Sequence, residues 1–149
     1  MTKTYVVNTL FDHAPDGCTS GDCTLREAIL DANANPAADF IVFDPSLVGG
    51  TIVLNSGSGF GQLVITDSVT ITAPSGCARN LTVSGNHTSR IFQVNPAVLG
   101  SDIEVNINGL TLINGNGAAN TLNVLGIQTP VTPGPGGAIL NTGGGTLNL

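Results

Sequence analysis

From residue 39 onward the chain is a succession of short apolar runs, at 39–43, 51–54, 62–65, 69–72, 81–84, 90–94, 103–107, 110–113, 137–140 and 146–149. Within them Val, Ile and Leu alternate with Thr, Asn or Ser, and Gly, Asn and Pro stand between them. Runs this short and this alternating cannot supply the apolar stripe of a helix, but they match half-buried strands. A further run at 5–8 precedes a polar segment at 10–22. The pattern predicts an all-β class.

Spacing sharpens that expectation. Val69 to Ile91 and Leu81 to Ile103 are each offset by 22 residues, and Ile91 to Leu110 by 19. Intervals of this size fit one turn of a solenoid with three short strands per rung, so the expected fold is a right-handed parallel β-helix. Asn106, Asn108, Asn114 and Asn116 stand where amides of neighbouring rungs could bond one another. A β-sandwich also uses many short strands. It favours tight hairpins, whose two-residue signals are sparse here.

One segment departs from the pattern. Thr24 is a natural N-cap and Glu27 follows three residues later, which makes a capping box. Leu25, Ala28, Ile29 and Ala32 recur on one helical face. Pro36 stops the helix, because a residue before proline resists the α conformation. A solenoid exposes an apolar cross-section and unpaired strand edges at each end, and this helix is suited to cover one of them. The expected organisation is a single domain: a strand, loop and capping helix at 1–36, then the first rungs at 37–149.

Composition narrows the function. The net charge is -6 and the basic residues are Lys3, Arg26, Arg79 and Arg90, scattered along the chain. Without clustered Lys and Arg, nucleic-acid binding is excluded and anionic membrane surfaces are disfavoured. No apolar stretch approaches the roughly 20 residues of a membrane span. Charge is scarce and β-branched residues abound, the reverse of a disordered chain. Met1 leads directly into a strand-like run, so it reads as an expression start with any natural leader removed.

Residues 23–29, Cys-Thr-Leu-Arg-Glu-Ala-Ile, resemble the Cys-Ser-Leu-Arg-Glu-Ala (CSLREA) motif of a domain family of bacterial secreted and surface β-helix proteins. The resemblance extends over Asp16-Gly17-Cys18, Asp31-Ala32-Asn33, 39–44, 50–52, 65–71, 81–86, 89–94, 109–112 and 136–141. Thr24 stands for the usual Ser and keeps the hydroxyl; Cys77 lies outside the pattern. The resemblance implies an adhesin-like or polymorphic outer-membrane-protein-like context, at the bacterial cell surface or outside the cell. It implies a structural or adhesive module rather than an enzyme. On this reading the chain stops in mid-pattern at Leu149. Its expected partners are further rungs of the parent chain, another molecule at the open C-terminal edge, or a glycan or cell-surface ligand.

The chemistry-bearing residues are few. Cys18 and Cys23 flank a four-residue loop and are expected to form a disulfide, the alternatives being free thiols or half of a metal site. Cys77 is expected to be an inert thiol, with His13 and His87 distant in sequence. Arg26 is expected to pair with Asp22 or with backbone carbonyls. No cofactor is expected; calcium on Asp12, Asp16 and Asp22 is the weaker alternative, without an EF-hand register. No catalytic set is assigned. A polysaccharide lyase or hydrolase on the coil wall would have to draw on Asp67, Arg79, Arg90, Asp102 and Glu104. Asn80 and Asn86 begin glycosylation sequons that a bacterial origin makes incidental.

Overall fold

The computed structural model describes residues 1–55, 60–74, 80–98, 101–117, 137–142 and 146–149, and the backbone of 123–124 and 127–128. The elements run β1 (Thr4–Val7), α1 (Leu25–Asn33), β2 (Asp39–Phe43), a 3-10 turn (Pro45–Leu47), β3 (Thr51–Val53), β4 (Leu63–Ile65) and β5 (Val69–Thr72). There follow β6 (Thr82–Ser84), β7 (Phe92–Val94), β8 (Glu104–Asn108) and β9 (Thr111–Ile113). Then come β10 (Asn123–Val124), β11 (Ile127–Gln128), β12 (Ile139–Asn141) and β13 (Thr146–Asn148).

Three small sheets result, in the orders β1-β2-β5-β8-β13, β12-β7-β4 and β3-β6-β9. Every pairing within them is parallel, while β10 and β11 pair antiparallel. From β2 to β9, successive strands fall in different sheets. β1 and β2 are the exception: they pair directly, with α1 as the crossover between them. Parallel neighbours need such a crossover, and this one is a βαβ unit.

The expected all-β, right-handed parallel β-helix is therefore corrected to an α/β-like arrangement of small parallel sheets with one helix. The helix is part of the core: Leu25, Ala28, Ile29 and Ala32 are buried in the same cluster as the strand residues. No solenoid is detected among the described residues, and the spacing between strand partners varies. Strand partners are offset by 30 residues at Ile41–Ile71, 36 at Ile71–Ile107, 29 at Leu63–Phe92 and 47 at Phe92–Ile139. The intervals of 22 and 19 linked residues of different sheets. Val69 pairs with Asp39 and Val105, whereas Ile91 precedes a strand of another sheet.

The period-2 pattern does set which side chains enter the core. β2 buries Asp39, Ile41 and Phe43 and turns Phe40 outward. Ile41, Ile71 and Ile107 lie in register across three strands, and all are buried. Leu63, Ile65, Phe92 and Val94 from the second sheet and Ile52 and Val83 from the third complete an interior that is mostly aliphatic. Leu112, Ile139 and Leu147, which pair with Val83, Phe92 and Val105, are only partly buried.

Polar side chains stack along the strands as well. Thr70, Asn106 and Asn148 share a register; the Asn148 amide donates to Asn106 Oδ1 at 2.7 Å and the Asn106 amide to Thr70 Oγ1 at 3.3 Å. Asn114 donates to Ser84 Oγ and Asn116 to the His87 carbonyl.

Candidate functional site

The polar chemistry concentrates where the segment before β2 meets the sheets. Thr24 caps α1 with extended dihedrals; its hydroxyl accepts from the Glu27 amide at 3.1 Å, and Glu27 Oε2 accepts from the Thr24 amide at 2.8 Å. The other Glu27 oxygen accepts from the amides of Asp16 at 2.9 Å and Gly17 at 3.1 Å. One buried carboxylate thus closes the helix start and gathers the preceding loop. Burial alone would raise its pKa; the amides of Thr24 and Asp16 outweigh that and hold it below the ordinary carboxylate range. Cys18 and Cys23 are joined by a disulfide that ties the same loop to the N-cap.

Arg26 faces the sheets. Its guanidinium forks onto buried Asp12, with Nε to Oδ1 at 2.7 Å and Nη2 to Oδ2 at 2.8 Å. It also donates to the carbonyls of Phe60, Gly61 and Gln62, and lies 5.6 Å from the centre of the Phe60 ring. Asp12 Oδ2 in turn accepts from the Asn55 amide at 2.7 Å, just beyond β3. Seven residues along the same helix, Asn33 donates to the Val64 carbonyl at 2.8 Å and accepts from the Thr66 amide at 2.9 Å. Arg26 and Asn33 thereby bond the backbone of β4 and of the segment leading into it. β4 is an edge strand of its sheet.

The outer strand β1 is held in its own way. The Tyr5 hydroxyl donates to the Asp31 carbonyl at 3.1 Å, and the Asn8 side chain accepts from the Cys23 amide at 2.8 Å. Asp39, buried, accepts from the Lys3 amide at 2.7 Å and from the Asn35 side chain at 2.7 and 2.8 Å.

Two features stand apart from this framework. His13 Nε2 lies 3.1 Å from Asp22, and the His13 pKa is pushed up to about 9, first by the Ala14 carbonyl and then by Asp22. A groove of about 460 Å³ runs past Phe11, Val53, Asn55 and Asn86, with Phe11 77% exposed.

No family model, curated protein or solved structure matches this chain.

The structure distributes the sequence-derived candidates unevenly. Thr24 and Glu27 meet in the box, and Leu25, Ala28, Ile29 and Ala32 share the core. The three candidate calcium ligands go separate ways: Asp12 to Arg26, Asp22 to His13, and exposed Asp16 to Glu27 through its backbone amide. Arg26 takes backbone carbonyls as expected, but its carboxylate partner is Asp12 rather than Asp22. Asp67 accepts from the next amide, Glu104 bonds Asn106, Asp102 is exposed, and Arg90 bonds Gln62 and the Gly117 carbonyl. Cys77 and Arg79 lie outside the described residues. The edge-binding role of Asn33 was missed; its place seven residues after Arg26, on the same helical face, was the available signal.

Proposed function

We propose that this chain is a non-enzymatic structural module of an extracellular or cell-surface protein. Its first 36 residues close one end of the parallel sheets and nucleate their assembly. The observation that carries this reading is the set of bonds from that segment to the near side of each sheet. Asn33 and Arg26 hold β4 and its approach, Asp12 holds the Asn55 amide two residues beyond β3, and Asn8 ties β1 to the helix cap. Unpaired edges template aggregation, and covering them is a known solution. The disulfide supports an oxidising location. The likeness of residues 23–29 to the CSLREA motif supports an adhesin-like parent.

Asn33→Ala tests the reading, since it frees two backbone groups of the β4 edge without emptying the core. The variant is expected to keep its circular dichroism, melt lower than the parent, and associate as concentration rises in sedimentation velocity. A variant that stays monomeric with an unchanged Tm overturns the proposal.

One observation favours a glycan-binding reading beside it. The exposed Phe11 ring adjoins the amides of Asn55 and Asn86 across the groove, an apolar face next to hydrogen-bonding groups. Saturable binding on a glycan panel, lost in Phe11→Ala, supports it; no binding on that panel retires it.

A further inference from the structure

We propose that Asn108 is a site of spontaneous deamidation, a slow modification that the fold directs to the corner between β8 and β9. The chain holds three Asn-Gly pairs, at 108–109, 114–115 and 116–117. Asn is a thermolabile residue, and a glycine after it leaves the next backbone nitrogen unshielded by any side chain. The three pairs share this intrinsic reactivity, so tertiary structure decides which of them reacts.

Ring closure requires the carboxamide and the following backbone nitrogen to swing together. Any contact that holds either group slows it. Asn116 is held most firmly: its side chain donates to the His87 carbonyl at 2.8 Å and its backbone amide to the Ser89 carbonyl at 2.8 Å. Gly117 is buried, and its carbonyl accepts from Arg90. Asn114 comes next, with its carboxamide donating to Ser84 Oγ at 3.3 Å and its carbonyl accepting from the His87 amide at 2.9 Å. Gly115 is clamped, because a Cβ there would lie 2.7 Å from Ala138 Cα and collide with the Gly137 carbonyl oxygen.

Asn108 is held only through its backbone. It is the last residue of β8, and its carbonyl accepts from the Ala73 amide at 2.9 Å. Among the described residues its carboxamide makes no hydrogen bond, nor does the Gly109 amide. Both residues are exposed. Gly109 has a φ of 75°, and a Cβ there would meet nothing nearer than Ala73 Cβ at 3.4 Å, so the swing has room.

The reaction consumes water and releases ammonia. The Gly109 nitrogen loses its proton and bonds to Asn108 Cγ, the Cγ–Nδ2 bond breaks, and a five-membered succinimide closes. Water then adds to one of its two carbonyl carbons. Cleavage of the nitrogen–Cγ bond leaves an aspartate. Cleavage at the main-chain carbonyl leaves an isoaspartate, whose main chain runs through Cγ and is one methylene longer. Only Gly109 and Leu110 separate β8 from β9. The longer link shifts Thr111, whose amide bonds the Leu81 carbonyl at 2.9 Å. β9 is an edge strand with Leu112 only partly buried, so it is readily displaced.

The test is peptide mapping by mass spectrometry of the full, disulfide-bonded chain aged at pH 8.5 and 37 °C, folded and, in parallel, in urea. Comparable rates at the three pairs are expected in urea. In the folded chain Asn108 should convert first, slowed less than tenfold from its rate in urea, while Asn116 is slowed at least tenfold. Faster conversion of Asn114 or Asn116 in the folded chain overturns the proposal, as does slowing of Asn108 by tenfold or more. The aged parent should also melt several degrees lower than the fresh protein, and Asn108→Gln aged beside it should not. An unchanged Tm in a parent converted to isoaspartate removes the displacement of β9. These outcomes are independent of the Asn33 experiment, which reads edge protection in unmodified protein.

Discussion

Arg26 and Asp12 face each other through two parallel hydrogen bonds of 2.7 and 2.8 Å, with their side chains only 7% and 2% exposed. The remaining guanidinium donors go to backbone carbonyls at 60–62, and the second Asp12 oxygen also holds the Asn55 amide. The pair connects loop, helix and two sheets at one point.

Breaking that pair from one side should be costly. Asp12→Ala leaves a buried guanidinium without its counter-charge and is expected to lower unfolding free energy by about 3–5 kcal/mol. The double variant Asp12→Leu with Arg26→Met should be distinctly less damaged, because no charge is stranded. Urea unfolding of both variants checks this; equal losses would show that the carbonyl bonds of Arg26, not the ion pair, dominate.

The capping box makes stability acid-sensitive. Thr24→Ala is expected to cost about 1 kcal/mol. Glu27 has a folded pKa depressed below its ordinary 4.5, so its contribution is fully present above about 4.5. That contribution is lost as pH falls through the lower folded value. Urea midpoints of the parent should therefore fall in that acidic window, while those of Glu27→Gln fall less. Parallel curves for the two proteins would remove Glu27 from the account.

Reduction of the disulfide should be felt as stability rather than as a change of fold. The ring closed by Cys18 and Cys23 spans a sequence separation of 5, for which constraint of the unfolded chain contributes about 2 kcal/mol. Thermal melts with and without reductant are expected to differ by several degrees in Tm, with similar far-ultraviolet dichroism. An identical Tm would mean that Glu27 holds the loop unaided.

Gly85 is expected to reject any side chain. A Cβ there would collide with the Ser89 carbonyl oxygen and sit 2.9 Å from the Asn114 carbonyl oxygen, both backbone atoms that cannot swing away. Gly85→Ala should destabilise by about 1–3 kcal/mol. Gly21→Ala meets nothing within 4 Å and should be close to neutral. Differential scanning calorimetry of the pair separates the two cases.

Some of this was readable in the residues. The box at Thr24 and Glu27, the buried stripe of α1 and the alternation in β2 are local patterns, set within a few residues by hydrogen-bond reach and side-chain direction. The spacing argument failed for the same reason. Apolar runs recur at similar intervals whether or not they share a sheet, so Val69 and Ile91 looked like partners although their strands lie in different ones.

By itself the sequence determined where strands and the helix form and which side chains face inward, because periodicity and capping act over short range. Tertiary structure alone decided that α1 is the crossover of a βαβ unit. It also decided that Arg26 takes Asp12, 14 residues away, and that Asn33 reaches the backbone of β4. Finally, it brought His13, Asp22 and Glu27 to one place. These contacts depend on how separate segments pack. No single segment carries a signal for the partner that another segment brings to it.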